Sequence, residues 1–144
     1  MTVLDSFAVI AYLRDEPAAS DVEALLRRKD ARLTAFGVAE VLDHLIRVMK
    51  IDEEEAALDL AELGLLDGLS VDAELGLAAG RLRARYYHRT RCAVSLADCV
   101  AAEVARALLE QLATSDPHLL DVCGAEAIRA VVLPASNGSM WTPH

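Results

Sequence analysis

The chain opens on a short apolar run, Thr2-Val3-Leu4, that meets a single carboxylate at Asp5 and passes at once into a second apolar run, Ser6-Phe7-Ala8-Val9-Ile10-Ala11-Tyr12-Leu13. This reads as a strand delivering an acid to the mouth of an α/β sheet, followed by a helix broken before Pro17. Ligands of open α/β sheets bind just beyond the carboxyl ends of the strands, where strand order reverses. Asp5 therefore stands where chemistry is usually done, with Ser6 as a small hydroxyl neighbour, and later segments are read by whether they bring partners to it.

The alternation of strand-like and helix-like segments continues along the chain. Residues 18–28, 35–50, 52–66, 72–87 and 95–111 carry helical periodicity, and Asp52-Glu53-Glu54-Glu55 places negative charge in a first helical turn, where the helix dipole favours it. Residues 32–34, 69–71, 112–114 and 130–133 are short and apolar enough to be four further strands. The expected fold is α/β: a doubly wound parallel sheet of about five strands, flanked by helices on both faces. It forms one domain over residues 1–133, followed by a polar tail at 134–144 that is disordered alone or docks through Trp141, the only tryptophan.

Composition limits the function. A hydrophobic fraction of 54% with 4% aromatics describes an aliphatic core, and no apolar run reaches the ~18 residues of a membrane span. The start shows neither basic n-region nor cleavage pattern, so no secretory signal is expected. Cys92, Cys99 and Cys123 lack metal-ligand spacing and read as reduced thiols of a cytoplasmic protein. The formal net charge of −9 opposes wholesale electrostatic binding of nucleic acid. Carboxylates that hold divalent cations would add negative charge that the metal cancels, however, so the total does not decide the partner. A serine hydrolase is disfavoured because no Gly-x-Ser-x-Gly occurs, and nucleotide-triphosphate chemistry because no phosphate-cradling glycine loop does.

Four acids occupy comparable places in this scheme: Asp5 after the first strand, Glu40 in the helix after the second, Asp98 in the first turn of the Ala-rich helix, and Asp116 after residues 112–114. Converging carboxylates repel unless a cation sits between them. Oxygen-only ligation suits Mg2+ or Mn2+, which can activate water and stabilise the leaving oxygen of a phosphodiester. Each acid also has an ordinary role open to it. Asp5 can cap the helix after it, and Ser95-Leu96-Ala97-Asp98 matches a capping box with Asp for Glu. Glu40 can be a solvated helix acid, and Asp116-Pro117 a turn or helix start.

The order of these acids and their surroundings resembles the PIN-domain family of nucleases, most closely the VapC-type toxins of toxin–antitoxin pairs. The resemblance rests on Val3-Leu4-Asp5-Ser6, Ala39-Glu40-Val41-Leu42, Leu96-Ala97-Asp98-Cys99-Val100-Ala101-Ala102 and Thr114-Ser115-Asp116, and spans residues 3 to about 133. It implies a Mg2+- or Mn2+-dependent endoribonuclease with Asp5, Glu40, Asp98 and Asp116 as catalytic, metal-holding acids. Asp5 and Asp98 would be the main ligands, Glu40 would position metal or water, and Asp116 would act directly or through water. Ser6 and Thr114 match the family's supporting hydroxyls. The resemblance also implies an RNA substrate, a cognate antitoxin whose tail occupies the groove, and a homodimer. Two departures bear on turnover: Phe7 stands where many members carry Asn or Ser, and the Ser115-Asp116-Pro117-His118 motif lacks the commoner charged flanks. A silent module binding RNA or protein, and an RNA-maturation nuclease, are the alternative readings.

Five of the fourteen basic residues fall within residues 81–91. Arg81, Arg85, His88 and Arg89 are expected on one helix face. They serve either as a phosphate-contacting stripe or as a solvated face paired with acids or antitoxin. Tyr86 and Tyr87 beside them can stack on bases or pack beneath the helix.

Overall fold

In the computed structural model, which describes residues 1–144, the opening run is strand β1 (Thr2–Leu4) and Asp5 caps helix α1 (Ser6–Leu13). There follow α2 (Ala19–Arg27), β2 (Ala31–Arg32), α3 (Ala35–Arg47), α4 (Glu53–Glu62) and α5 (Ala73–Tyr86). The chain then forms α6 (Leu96–Leu108), β3 (Gln111–Thr114), α7 (Pro117–Ala125) and β4 (Ala130–Val132). All strand pairs are parallel, in the order β2-β1-β3-β4. From β1 the chain moves outward to β2, and from β3 it moves the other way to β4. The order therefore reverses between β1 and β3, and the crevice of such a sheet lies there.

The two-residue period of a strand sends alternate side chains to opposite faces. Leu4 and Ala113 join a core filled from α1 to α4 by Val9, Val22, Val41, Leu45 and Leu60. Val3 and Leu112 join a second core filled from α5 to α7 by Leu82, Val100, Ala102, Val104, Leu119 and Val122. Helices thus cover both faces of the sheet, as the alternating pattern implied. No helix is long and apolar enough to cross a membrane.

The sheet has four strands, not the expected five. Residues 69–71 make only a bridge beside Thr34, through Leu69 N–H to Leu33 O (2.8 Å) and Ala35 N–H to Leu69 O (2.7 Å). The ladder cannot extend because β2 is two residues long and Thr34 already turns the chain into α3 as its cap. Helix α7 was not anticipated beyond the possibility of a helix start at Asp116-Pro117. Its start carries a recognisable signal, Asp at the N-cap and Pro at the first turn, where a missing N–H costs nothing. Helix α5 ends at Tyr86, so His88 and Arg89 lie outside it, in a turn closed by the antiparallel His88–Cys92 bridge. The expectation of one helical stripe through Arg89 is corrected accordingly.

Helix α6 presents Ala97, Ala101, Ala102 and Ala105 as buried residues, and this low relief lets it sit close on β1 and β3. Ala102 has no exposed surface. Ala102→Leu is expected to overpack this contact and destabilise the fold by about 1–3 kcal/mol, read as a lowered Tm in thermal unfolding.

Candidate active site

Asp5 follows β1 at the reversal of strand order, held by three groups. Its N–H donates to Ala113 O across the sheet (3.2 Å), its Oδ1 accepts from Ala8 N–H (2.7 Å), and its Oδ2 accepts from the Thr114 hydroxyl. Only 5% of Asp5 is exposed. The Thr114 oxygen in turn accepts from Asp116 N–H (3.0 Å), so one hydroxyl orients two of the predicted acids. Asp116 Oδ1 accepts from His118 N–H (2.8 Å) and starts α7. Asp98 forms the expected capping box: its Oδ2 accepts from Ser95 N–H (2.9 Å) and its N–H donates to Ser95 Oγ (3.0 Å). Glu40 lies half-buried on α3. The supporting hydroxyl is thus Thr114; Ser6 is buried next to Asp5 but is not the donor to it.

The electrostatics show that these acids are neighbours. Burial pushes the Asp5 carboxyl up to about 7, against the stabilising bonds from Thr114 and Ala8, and the charges of Asp98 and Asp116 raise it further. Burial likewise pushes Asp98 up to about 6, opposed by the Ser95 N–H, with Asp116 and Glu40 adding repulsion. Asp98 is the acid that shares this repulsion with each of the other three, Asp5, Asp116 and Glu40. Their donor set is all oxygen and suits a hard divalent cation, which would relieve this repulsion. As the side chains stand, no three His, Cys, Asp or Glu residues form a chelating group. Both Asp5 oxygens, Asp98 Oδ2 and Asp116 Oδ1 are instead engaged by backbone N–H groups or the Thr114 hydroxyl.

Asp5 and Asp116 line a cleft of about 360 Å³. Glu16, Phe7 and residues Pro134–Ser136 line it with them. Glu16 and the 134–136 segment are additions that sequence reading missed. A Glu before Pro17 looks like an ordinary loop acid, and nothing local places the tail beside residue 5. Phe7 is 54% exposed and meets the His44 ring edge-on at 5.8 Å between centroids, while His44 Nε2 is buried without a partner.

The basic residues lie elsewhere. Arg85 pairs with Glu126 (3.3 Å), which also binds Arg106 (2.8 Å) and the Tyr86 hydroxyl (2.5 Å). Glu126 follows the last residue of α7 while Asp116 precedes the first, a separation of roughly 15 Å along the helix at about 1.5 Å per residue. Arg81 shares a pocket with this cluster. Arg83 is tied to Val94 O (2.9 Å) and lies over the Tyr87 ring at 4.2 Å.

Residues 2–125 match the family model of the PIN domain. The chain belongs to the PIN domain family. Its fold is shared with FitAcB from Neisseria gonorrhoeae (TM-score 0.64, 20% identity, covering 90% of this chain and 96% of that one). It is shared also with FitAB bound to an IR36 DNA fragment (TM-score 0.68, 20% identity, 91% and 94%). A third match is VapBC2 from Rickettsia felis bound to a DNA fragment from their promoter (TM-score 0.63, 17% identity, 90% and 96%). No curated protein matches in sequence. The PIN fold explains why separate chain segments deliver acids to one edge: α1, α6 and α7 all begin at the carboxyl ends of the strands around the β1–β3 crevice.

Raised carboxyl values have a defined consequence for stability. An acid whose value is higher in the folded state binds more protons folded than unfolded between the two values, so stability falls as pH rises through that interval. For Asp5 the interval runs from 3.8 to about 7, and for Asp98 from 3.8 to about 6. With chelator present, Tm is expected to decline across this range through these two groups. Asp5→Asn should flatten the decline at its upper end and raise Tm above neutral pH. Calorimetry of both proteins across pH checks this.

Proposed function

We propose that this PIN-domain chain is a Mg2+- or Mn2+-dependent endoribonuclease and the toxin of a toxin–antitoxin pair. The observation that carries the reading is Asp5: a carboxyl 5% exposed, hydrogen-bonded by Thr114, and raised by burial with Asp98 and Asp116 adding charge repulsion. A buried acid among other acids at a ligand-binding edge is costly for structure alone and useful for holding a cation. The assemblies that share the fold include FitAB and VapBC2, which supports a cognate antitoxin as the partner of this chain. A homodimer belongs to the same reading.

In the mechanism Asp5 and Asp98 would be the main cation ligands, Glu40 would position metal or water, and Asp116 would act directly or through water. A bound cation lowers the pKa of water and offsets charge developing on the phosphodiester. Thr114 fixes the Asp5 Oδ2 position and leaves the carboxylate little freedom to turn away. Asp116, oriented through the same hydroxyl, presents its charge to the cleft. Glu16 adds a third acid to the cleft wall, which disfavours phosphate there unless positive charge accompanies it. Arg81 and Arg85 on α5 and Arg89 beyond it would contact the RNA backbone away from the reacting phosphate, with Arg85 partly neutralised by Glu126. The second reading, a silent RNA- or protein-binding module, draws on Phe7, which puts an exposed ring rather than a polar side chain into the cleft.

The test is cleavage of structured cellular RNAs with Mg2+, Mn2+ and chelator in parallel, followed by mapping of the ends. Cuts are expected with either ion and none with chelator. Asp5→Asn and Asp98→Asn should abolish cleavage while leaving the protein folded. Thr114→Val, which keeps the shape and removes the donor, should lower kcat/KM by about 10- to 100-fold. Binding of RNA without cleavage under both ions would transfer the assignment to the silent module.

A further inference from the structure

His44 carries a buried nitrogen that no group in the fold binds. It stands on α3 one turn after Glu40, and residues four apart share a helix face. Both side chains are half-buried, and the charge of Glu40 reaches Asp98. The His44 ring meets Phe7 of α1 at 5.8 Å between centroids, with the two planes at 76°. Phe7 in turn lines the cleft with Asp5, Glu16 and Asp116. His44 Nε2 has neither exposed surface nor a hydrogen-bond partner. A buried polar atom left unpaired is a standing cost to the fold, and an aromatic ring is at best a weak acceptor for it. Phe7 is 54% exposed, so turning its ring toward solvent breaks little packing. The charge of the cleft gives such a nitrogen a use. Three carboxylates line it and no Lys, Arg or His does, so a phosphodiester entering it meets like charge on the walls.

Resting on the nuclease reading, we propose that His44 Nε2 is a substrate-binding donor for a phosphate oxygen of the RNA, kept under the Phe7 ring until the RNA backbone displaces that ring. Nε2 donates in the neutral Nε2–H tautomer as in the imidazolium, so the contact requires no change of protonation. A hydrogen bond to a charged oxygen is stronger than one between neutral groups, and the phosphate supplies the partner that the fold withholds. Phe7 is then a cover and not an anchor. A histidine that serves only to pack against Phe7 loses its purpose when that ring is removed, whereas one that binds phosphate keeps it.

The experiment compares His44→Leu, which removes the donor, with His44→Gln, whose amide nitrogen takes nearly the place of Nε2, each alone and combined with Phe7→Ala. Steady-state cleavage with Mg2+ is measured on an RNA oligonucleotide carrying a cut site mapped in cellular RNA. Dissociation constants for the same RNA are measured in the Asp5→Asn background, which keeps the RNA whole. His44→Leu should raise KM and the dissociation constant about tenfold, the size of one hydrogen bond to a charged group, with kcat within about twofold, the pattern of lost uniform binding. His44→Gln should stay within about threefold of the wild type. The gap between Leu and Gln should persist with Phe7→Ala. In thermal unfolding the Tm of His44→Leu should equal or exceed that of the wild type, because a buried unpaired nitrogen has been removed. Leu and Gln variants that bind RNA equally overturn the proposal, as does a gap that vanishes with Phe7→Ala or a loss confined to kcat. If His44→Leu does not fold, His44→Phe takes its place in the same comparison. A wild type that binds cellular RNA and cuts none counts against the nuclease reading alone, and the dissociation constants for the bound RNA then decide the role of His44. Failure of the wild type to bind RNA overturns both.

Discussion

The hydrogen bond from the Thr114 hydroxyl to Asp5 joins residues 109 positions apart, and the site depends on it. It forms only if β1 and β3 pair in parallel with Leu4 opposite Ala113, so it reports the register of the whole sheet. A buried carboxylate without partners costs several kcal/mol, whereas here one oxygen is held by Ala8 N–H and the other by Thr114. The same hydroxyl accepts from Asp116 N–H, which couples the start of α7 to the end of β1.

Packing brings the remaining acids to this edge. Asp98 owes its place to α6, whose row of buried alanines sits low on β1 and β3. Its own charge and N–H are used to start that helix. Capping and chemistry are therefore not competing explanations for these acids. A carboxylate that caps a helix at the carboxyl edge of a parallel sheet is held rigidly where a ligand would bind. What distinguishes Asp5 and Asp98 from ordinary caps is their burial among like charges, which raises both above the usual carboxylate range.

The legible parts of the chain were those governed by local pattern. Val3-Leu4-Asp5 announced a strand and its acid, Ser95-Leu96-Ala97-Asp98 announced a capping box, and the alternation of segments announced a parallel sheet with two covered faces. The less legible parts were set by neighbours distant in sequence. Residues 69–71 have strand-like composition, but their only partner is Thr34, next to a strand already ending. Arg89 continues a helical spacing that Tyr86 terminates, because His88 and Cys92 pair across a turn instead. Of helix α7, nine residues long, only the Asp-Pro start was readable.

Local sequence determined where helices begin, which residues alternate between two cores, and which acids fall after strands, since these follow from backbone sterics and side-chain spacing. Tertiary structure alone decided that Thr114 rather than Ser6 holds Asp5, that Glu16 enters the cleft, and that the tail after β4 returns to α7 through the Trp141–Asp121 hydrogen bond. Each is a contact between segments whose separation along the chain carries no trace of their distance in space. For Thr114 and Asp5 it is the pairing of β1 with β3 that brings them within hydrogen-bonding reach.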